Sequence, residues 1–250
     1  MIQIGFKSSK GIKRKNNEDA CFVMPKEEIY IVADGVGGNN AGELASRTAV
    51  TSVAAYIKKN PIGEMFSEEQ IGEYFKDCME EANKKVYDLA EKYEQNRGMA
   101  TTLVVCHLKK NRAYISNVGD SRAYIFRKGT LSQLTEDHTY VNSLIKMGVI
   151  TEDEAKGHQK VNMITKALGA EREIAPDFYT TDLNKGDMIL LCTDGLYGEL
   201  DNKKMEKIIK KEENMPALTD EFIKAANKAG GRDNITVICI KVDGGENNEQ

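Results

Sequence analysis

Four aspartates stand where apolar, strand-like runs begin or end. Asp34 closes Ile29-Tyr30-Ile31-Val32-Ala33 and precedes three glycines in four residues, Gly35, Gly37 and Gly38. Asp194-Gly195 follows the run from Met188 to Thr193, Asp233-Asn234 precedes the run from Ile235 to Ile240, and Asp120 lies in Gly119-Asp120-Ser121. One Asp-Gly pair is ordinary turn chemistry, so the information lies in the repetition. Carboxylates gathered in one place cannot all ionise without a cation among them. Oxygen donors with no cysteine or histidine beside them favour a hard ion, Mg²⁺ or Mn²⁺. Glu18 and Asp19 head a further run. If that run pairs antiparallel with the next through Pro25-Lys26-Glu27-Glu28, both acids arrive beside Asp34.

The elements that must hold these acids follow from periodicity. Residues 2–7 and Cys21-Phe22-Val23-Met24 read as strands. Ala41, Leu44, Ala45, Thr48, Ala49, Val53, Tyr56 and Ile57 recur at helical spacing until Asn60-Pro61. A second helix starts at Ser67, with Gln70 in capping-box position, and carries an apolar face from Ile71 through Phe75, Met79 and Val86 to Tyr93. From Thr101 the period falls to two, and residues 101–108, 112–118, 122–127 and 130–134, joined by brief turns, predict one antiparallel meander. Residues 138–147 read as helical, Thr151 and Glu154 as a capping box, and 139–163 as an excursion from the main body. Strands return at 176–181 and 187–193, helices at 202–211 and 219–229, and a last strand runs to Val242. Strands in runs, with helices gathered before and after, predict an α+β fold with mainly antiparallel sheets.

The 250 residues, 40% hydrophobic and 30% charged, describe an ordinary soluble globular protein. One domain is expected over 1–242, with a polar tail over 243–250 expected to be disordered. Net charge is −4 with both signs interspersed, which argues against nucleic acid and anionic membranes as partners. The five cysteines include no Cys-x-x-Cys pair, and Cys106, Cys192 and Cys239 lie within apolar runs, as core hydrophobes do. With a beginning unlike a signal peptide and no apolar stretch of spanning length, this predicts a cytoplasmic protein.

Further short motifs recur in order: Arg14-Lys15-Asn16-Asn17-Glu18-Asp19, Asp34-Gly35-Val36-Gly37-Gly38 with Gly42-Glu43 and Ala45-Ser46, Thr101-Thr102-Leu103, and Gly119-Asp120-Ser121-Arg122. Leu134-Thr135-Glu136-Asp137-His138, Ala167-Leu168-Gly169, Thr193-Asp194-Gly195-Leu196 and Gly231-Arg232-Asp233-Asn234-Ile235-Thr236 complete the series. Together, over essentially the whole chain, they resemble the protein phosphatase 2C family of metal-dependent serine/threonine protein phosphatases, in its compact bacterial form. The resemblance implies an α-β-β-α sandwich, two mainly antiparallel sheets flanked by pairs of helices, with 139–163 as a flap beside the metal cleft. It implies two Mn²⁺ or Mg²⁺ ions and a weaker third. Asp34 would bridge, Asp194 and Asp233 would hold the first ion, and the Gly35 carbonyl would hold the second. Glu18 would act through a water, Asp19 would support from behind, and Asp120 would share the third ion with Asp194. Arg14 would grip the substrate phosphate. The implied reaction is hydrolysis of phosphoserine and phosphothreonine by direct attack of a water bridging the metals, in a monomer that opposes a bacterial serine/threonine kinase.

Three positions depart from the family pattern. Ala100 replaces a frequent glycine and Lys166 a frequent arginine, while Val36 stands where some relatives carry a histidine that acts as general acid. Other readings stay open on the residues alone. The chain could hydrolyse small phosphorylated metabolites, or be a catalytically inert regulatory relative. Arg14 could belong to a solvated basic turn with Lys10, Lys13 and Lys15, Asp120 could be a turn residue, and Asp137-His138 a helix cap. His107 and His158 are read as structural or exposed.

Overall fold

The computed structural model describes residues 2–38 and 41–243. In chain order the strands are β1 (Ile2–Ser9), β2 (Asp19–Met24), β3 (Ile29–Val36), β4 (Ala100–Thr101), β5 (Leu103–Lys109), β6 (Arg112–Val118), β7 (Arg122–Arg127), β8 (Thr130–Gln133), β9 (Asp177–Asp182), β10 (Met188–Cys192) and β11 (Ile235–Val242). The helices are α1 (Ala41–Lys59), α2 (Glu68–Lys92), α3 (Tyr140–Lys146), α4 (Glu152–Lys156), α5 (Asp194–Tyr197), α6 (Asn202–Ile209) and α7 (Met215–Ala229). Of the expected tail only Asp243 is described; 244–250 lie outside the described residues.

Local sequence accounts for most helix boundaries. Ser67 caps α2 by accepting from the Gln70 N–H, and Gln70 answers on the Ser67 N–H, so the capping box forms as expected. Its buried face runs from Ile71 to Ala90, whereas Tyr93 sits just beyond the helix, 39% exposed, and is not part of that face. The last helix begins at Met215, four residues before the expected Thr219. Asn214 caps it by accepting from Ala217, and Pro216 suits a first turn whose N–H groups need no partner in the helix.

Two antiparallel sheets stack face to face, one in the order β1-β11-β10-β7-β8, the other β2-β3-β5-β6-β9 with β4 beside β3. The expected single meander is therefore corrected. β5 pairs with β6 in one sheet and β7 with β8 in the other, so Gly119-Asp120-Ser121 carries the chain between sheets. Alternation could not reveal this, because β6 is buried along nearly its whole length and shows no solvent face. The expected strand from Thr101 is also divided. Its register with β3 is continuous from Val32↔Val104 to Gly35↔Thr101, but opposite Asp34 the backbone N–H bonds to Thr102 Oγ1 at 2.9 Å.

Three apolar layers hold the sandwich. Tyr30, Val104, Ile115, Ile189, Leu191 and Ile238 fill the space between sheets. Helices α1 and α2 cover one outer face through Val53, Phe75 and Met79, and α5 to α7 cover the other through Leu196, Met205 and Phe222. Residues 139–163 hold α3 and α4, and a Thr139↔Ile164 bridge closes the base of this segment. All five cysteines are free; Cys78, Cys106, Cys192 and Cys239 are buried and Cys21 is partly so. No helix among the described residues is long and apolar enough to cross a membrane.

Candidate metal centre

Strand direction brings the acids to one end of the sandwich. Asp19 opens β2 directly opposite Asp34 near the end of β3. Asp194 begins α5 just after β10, and Asp233 lies just before β11; Cys192 pairs with Val237, so these two ends coincide. Cys192 also pairs with Arg122, which places Asp120, on the crossover between sheets, at the same end. The loop from β1 to β2 brings Glu18 and Arg14. The Glu18 N–H donates to Asn234 Oδ1 at 2.7 Å, and Arg14 Nη2 donates to Asp233 Oδ2 at 2.6 Å.

Two glycines let the backbones meet. A Cβ on Gly42 would lie 2.8 Å from the Gly35 carbonyl oxygen and 2.9 Å from the Glu18 carboxyl carbon, so these two oxygen donors share one cradle at the start of α1. A Cβ on Gly195 would lie 1.9 Å from the Asn234 carbonyl oxygen, so the Asp194 and Asp233 segments touch only because residue 195 has no side chain.

The electrostatics are those of crowded acids. Burial, reinforced by Asp194 and Asp233, pushes the Asp19 carboxyl up to about 7 even though the Thr193 hydroxyl donates to it at 2.8 Å. Asp34 is held well above the usual carboxylate range by burial and then by Asp19, Asp194, Asp120 and Asp233. Burial and Asp194 raise Asp120 to about 7, while burial and Asp233 raise Asp194 to about 6. Among the described residues no three such groups converge as a closed coordination shell. The fit to a cation rests instead on Asp19 Oδ1 and Asp194 Oδ1, which are buried and have no hydrogen-bond partner. Buried carboxylate oxygens without donors are costly, and a hard cation satisfies both their charge and their lone pairs.

Several residues of the site had no assigned role in the sequence. Asn234 binds Glu18 through Oδ1 and donates from Nδ2 to the Lys10 and Asn16 carbonyls at 2.9 and 2.8 Å, fastening the loop between β1 and β2 to the start of β11. Thr193 links Asp19 to β11 by accepting from the Thr236 N–H at 2.9 Å. Arg122 donates from Nε and Nη2 to the Asp137 carboxylate and lies 3.5 Å from the centroid of the Tyr197 ring. The Tyr197 hydroxyl donates to the Asp120 carbonyl at 2.9 Å. Asp137-His138 is not a helix cap: Thr139 caps α3, Asp137 pairs with Arg122, and His138 Nδ1 accepts from the Gly119 N–H at 3.0 Å. Of the other histidines, His107 is buried and His158 partly exposed.

Comparison with known proteins places the chain in a family. A family model described as protein phosphatase 2C matches residues 9–236. The serine/threonine phosphatase stp of Listeria welshimeri is 36% identical over 239 residues, covering 94% of each chain. The S. agalactiae serine/threonine phosphatase structure superposes with a TM-score of 0.90 at 31% identity, over 97% of this chain and 100% of that one. The catalytic domain of the phosphatase PstP, in complex with two manganese ions, superposes with a TM-score of 0.84 at 29% identity, over 97% and 99% of the two chains. With a fold, a family match across most of its length and full-length relatives all in agreement, the chain belongs to the protein phosphatase 2C family and is a serine/threonine protein phosphatase.

Proposed function

We propose that the acid cluster holds two Mn²⁺ or Mg²⁺ ions through Asp34, Asp194, Asp233 and the Gly35 carbonyl. In this reading Glu18 acts through water, Asp19 supports from behind, and Asp120 with Asp194 takes a weaker third ion. The observation that carries it is the buried, unpartnered Asp194 oxygen amid carboxylates that raise one another's pKa values. Bound there, two cations would supply an activated water and offset the charge of the phosphoryl oxygens. The chain's own residues do the rest. Arg14, half exposed and paired with Asp233 at the rim, presents a planar fork that suits two phosphate oxygens. Asn234, Thr193 and Thr102 hold the acid-bearing segments so that little rearrangement accompanies reaction. Val36 has no proton to give, so protonation of the leaving serine oxygen falls to water held among the acids or to another side chain.

The substrates in this reading are cytosolic phosphoproteins made by a serine/threonine kinase, met by residues 1–242 acting as one monomeric domain. Five free thiols support a reducing compartment. The test is calorimetric titration with Mn²⁺ beside turnover of a phosphothreonine peptide. Asp34→Asn and Asp194→Asn should each lose Mn²⁺ affinity and turnover while keeping the far-ultraviolet circular dichroism of the parent. Unchanged affinity in both variants would remove these residues from the metal site.

A further inference from the structure

A second groove opens from the acid cleft. Asn162 lines both: on one side the cleft of Asp120, Asp194 and Asp233, on the other a groove of about 730 Å³. The apolar wall of this groove is Val36, Ala100, Ile164, Ala167, Ala170 and Ile174. Val36 is 47% exposed at the point where β3 runs out past Asp34 and Gly35, so the wall begins directly after two proposed ligands.

The groove is built rather than incidental. Thr101 and Leu168 exchange backbone hydrogen bonds of 2.9 and 2.8 Å, tying its floor to β4. Asn83, 1% exposed on α2, accepts from the Gly169 N–H and donates to the Glu171 and Arg172 carbonyls, fixing the far wall from behind. Three bonds from one buried side chain hold this loop. A preformed concave surface is what lets binding escape the cost of ordering.

Its charge is one-sided. Glu171 and Glu173 line it, are exposed, and have no side-chain hydrogen bond or ion pair among the described residues. Of the cations nearby, Lys166, which lines the groove, is committed to Asp177 at 3.0 Å and to the Ala175 carbonyl at 2.8 Å, and Arg172, between the two glutamates, lines a neighbouring pocket with Tyr87 and Asp88 instead. The complement is an apolar side chain accompanied by a positive one.

We propose that this groove docks the stretch of phosphoprotein flanking the phosphorylated residue and selects an apolar side chain next to a lysine or arginine that meets Glu171 and Glu173. The inference rests on the protein-substrate reading above. An extended chain with its phosphate among the acids continues past Asn162 into the groove, and alternate side chains then face Val36 and Ile174 on one hand and the glutamates on the other.

The test uses phosphothreonine peptides that differ only in flanking residues, a leucine with arginines against a glycine with glutamates, placed before or after the phosphothreonine. Each is assayed with the wild-type protein, Ile174→Asp, and the double variant Glu171→Lys/Glu173→Lys, with p-nitrophenyl phosphate as a substrate too small to reach the groove. The wild type should prefer the leucine–arginine flank on one side by about tenfold in kcat/KM, carried in KM. Ile174→Asp should lose the apolar preference, the double variant should turn the charge preference toward glutamate, and p-nitrophenyl phosphate hydrolysis should not change. Equal kcat/KM across the peptides for wild type, or a preference that survives both variants, overturns the groove. So does a change in oligomeric state of Ile174→Asp with peptide preference intact, which would make the surface a contact between copies. A wild type that turns over p-nitrophenyl phosphate but none of the peptides overturns the protein-substrate reading itself.

Discussion

Arg14 sits among three lysines on a loop, and only the fold separates it from them. Its guanidinium reaches Asp233 at 2.6 Å while remaining half exposed, so the pair adds little to stability and the fork stays available. Arg14→Ala should therefore keep the melting temperature but lower kcat/KM for a phosphopeptide by the worth of a charge-assisted contact, about 1.5–3 kcal/mol. Arg14→Lys should recover only part of it, because a point charge cannot engage two phosphate oxygens in the same way. Steady-state kinetics decide the matter: values within twofold of wild type for Arg14→Ala would exclude phosphate binding by this residue.

Elements place the acids by backbone contact as much as by strand direction. The Asp194-Gly195 start of α5 touches the Asp233-Asn234 approach to β11 closely enough that a methyl at 195 would meet backbone at 1.9 Å. A backbone oxygen cannot rotate away as a side chain could, so Gly195→Ala must push the two segments apart. We expect a loss of about 1–3 kcal/mol in stability, the usual cost of overpacking, together with weaker Mn²⁺ binding. Urea denaturation and Mn²⁺ titration of the same variant check both. A variant as stable as wild type with undiminished Mn²⁺ affinity would show that the two segments are not held in register by this contact.

Across the whole molecule, stability in acid sums the shifted groups, and buried His107 makes a separable contribution. His107 lies between Phe75 and Tyr114 on β5, and burial lowers its pKa to about 4. The unfolded chain begins to bind a proton near pH 6.5, and the folded chain refuses it until about 4. Above pH 6.5 the residue is neutral in both states and contributes no pH dependence; between 6.5 and 4 its contribution to stability falls with falling pH, by up to roughly 3 kcal/mol, while the raised acids Asp19, Asp120 and Asp194 act in the opposite sense. His107→Phe keeps an aromatic ring there and removes the titration. Its urea midpoint, measured from pH 7 down to 4.5, should decline less steeply than that of wild type, by up to one proton; parallel curves would rule out this source.

What the chain reveals by itself is what local pattern encodes. An apolar run ending on Asp-Gly or opened by Asp-Asn marks a strand end, and a four-residue connection between short runs marks a hairpin, so the strand-end positions of Asp34, Asp194 and Asp233 and the Asp19–Asp34 pairing were legible residue by residue. So was the Ser67 capping box, whose partners lie three residues apart. Tertiary structure alone decided that β6 and β7 belong to different sheets, because strands buried on both faces carry no alternation to say which neighbour they choose. It alone joined Asn234 to Glu18, Thr193 to Asp19 and Arg122 to Asp137, since a polar side chain names no partner until the register of distant strands has set which groups lie within hydrogen-bond reach.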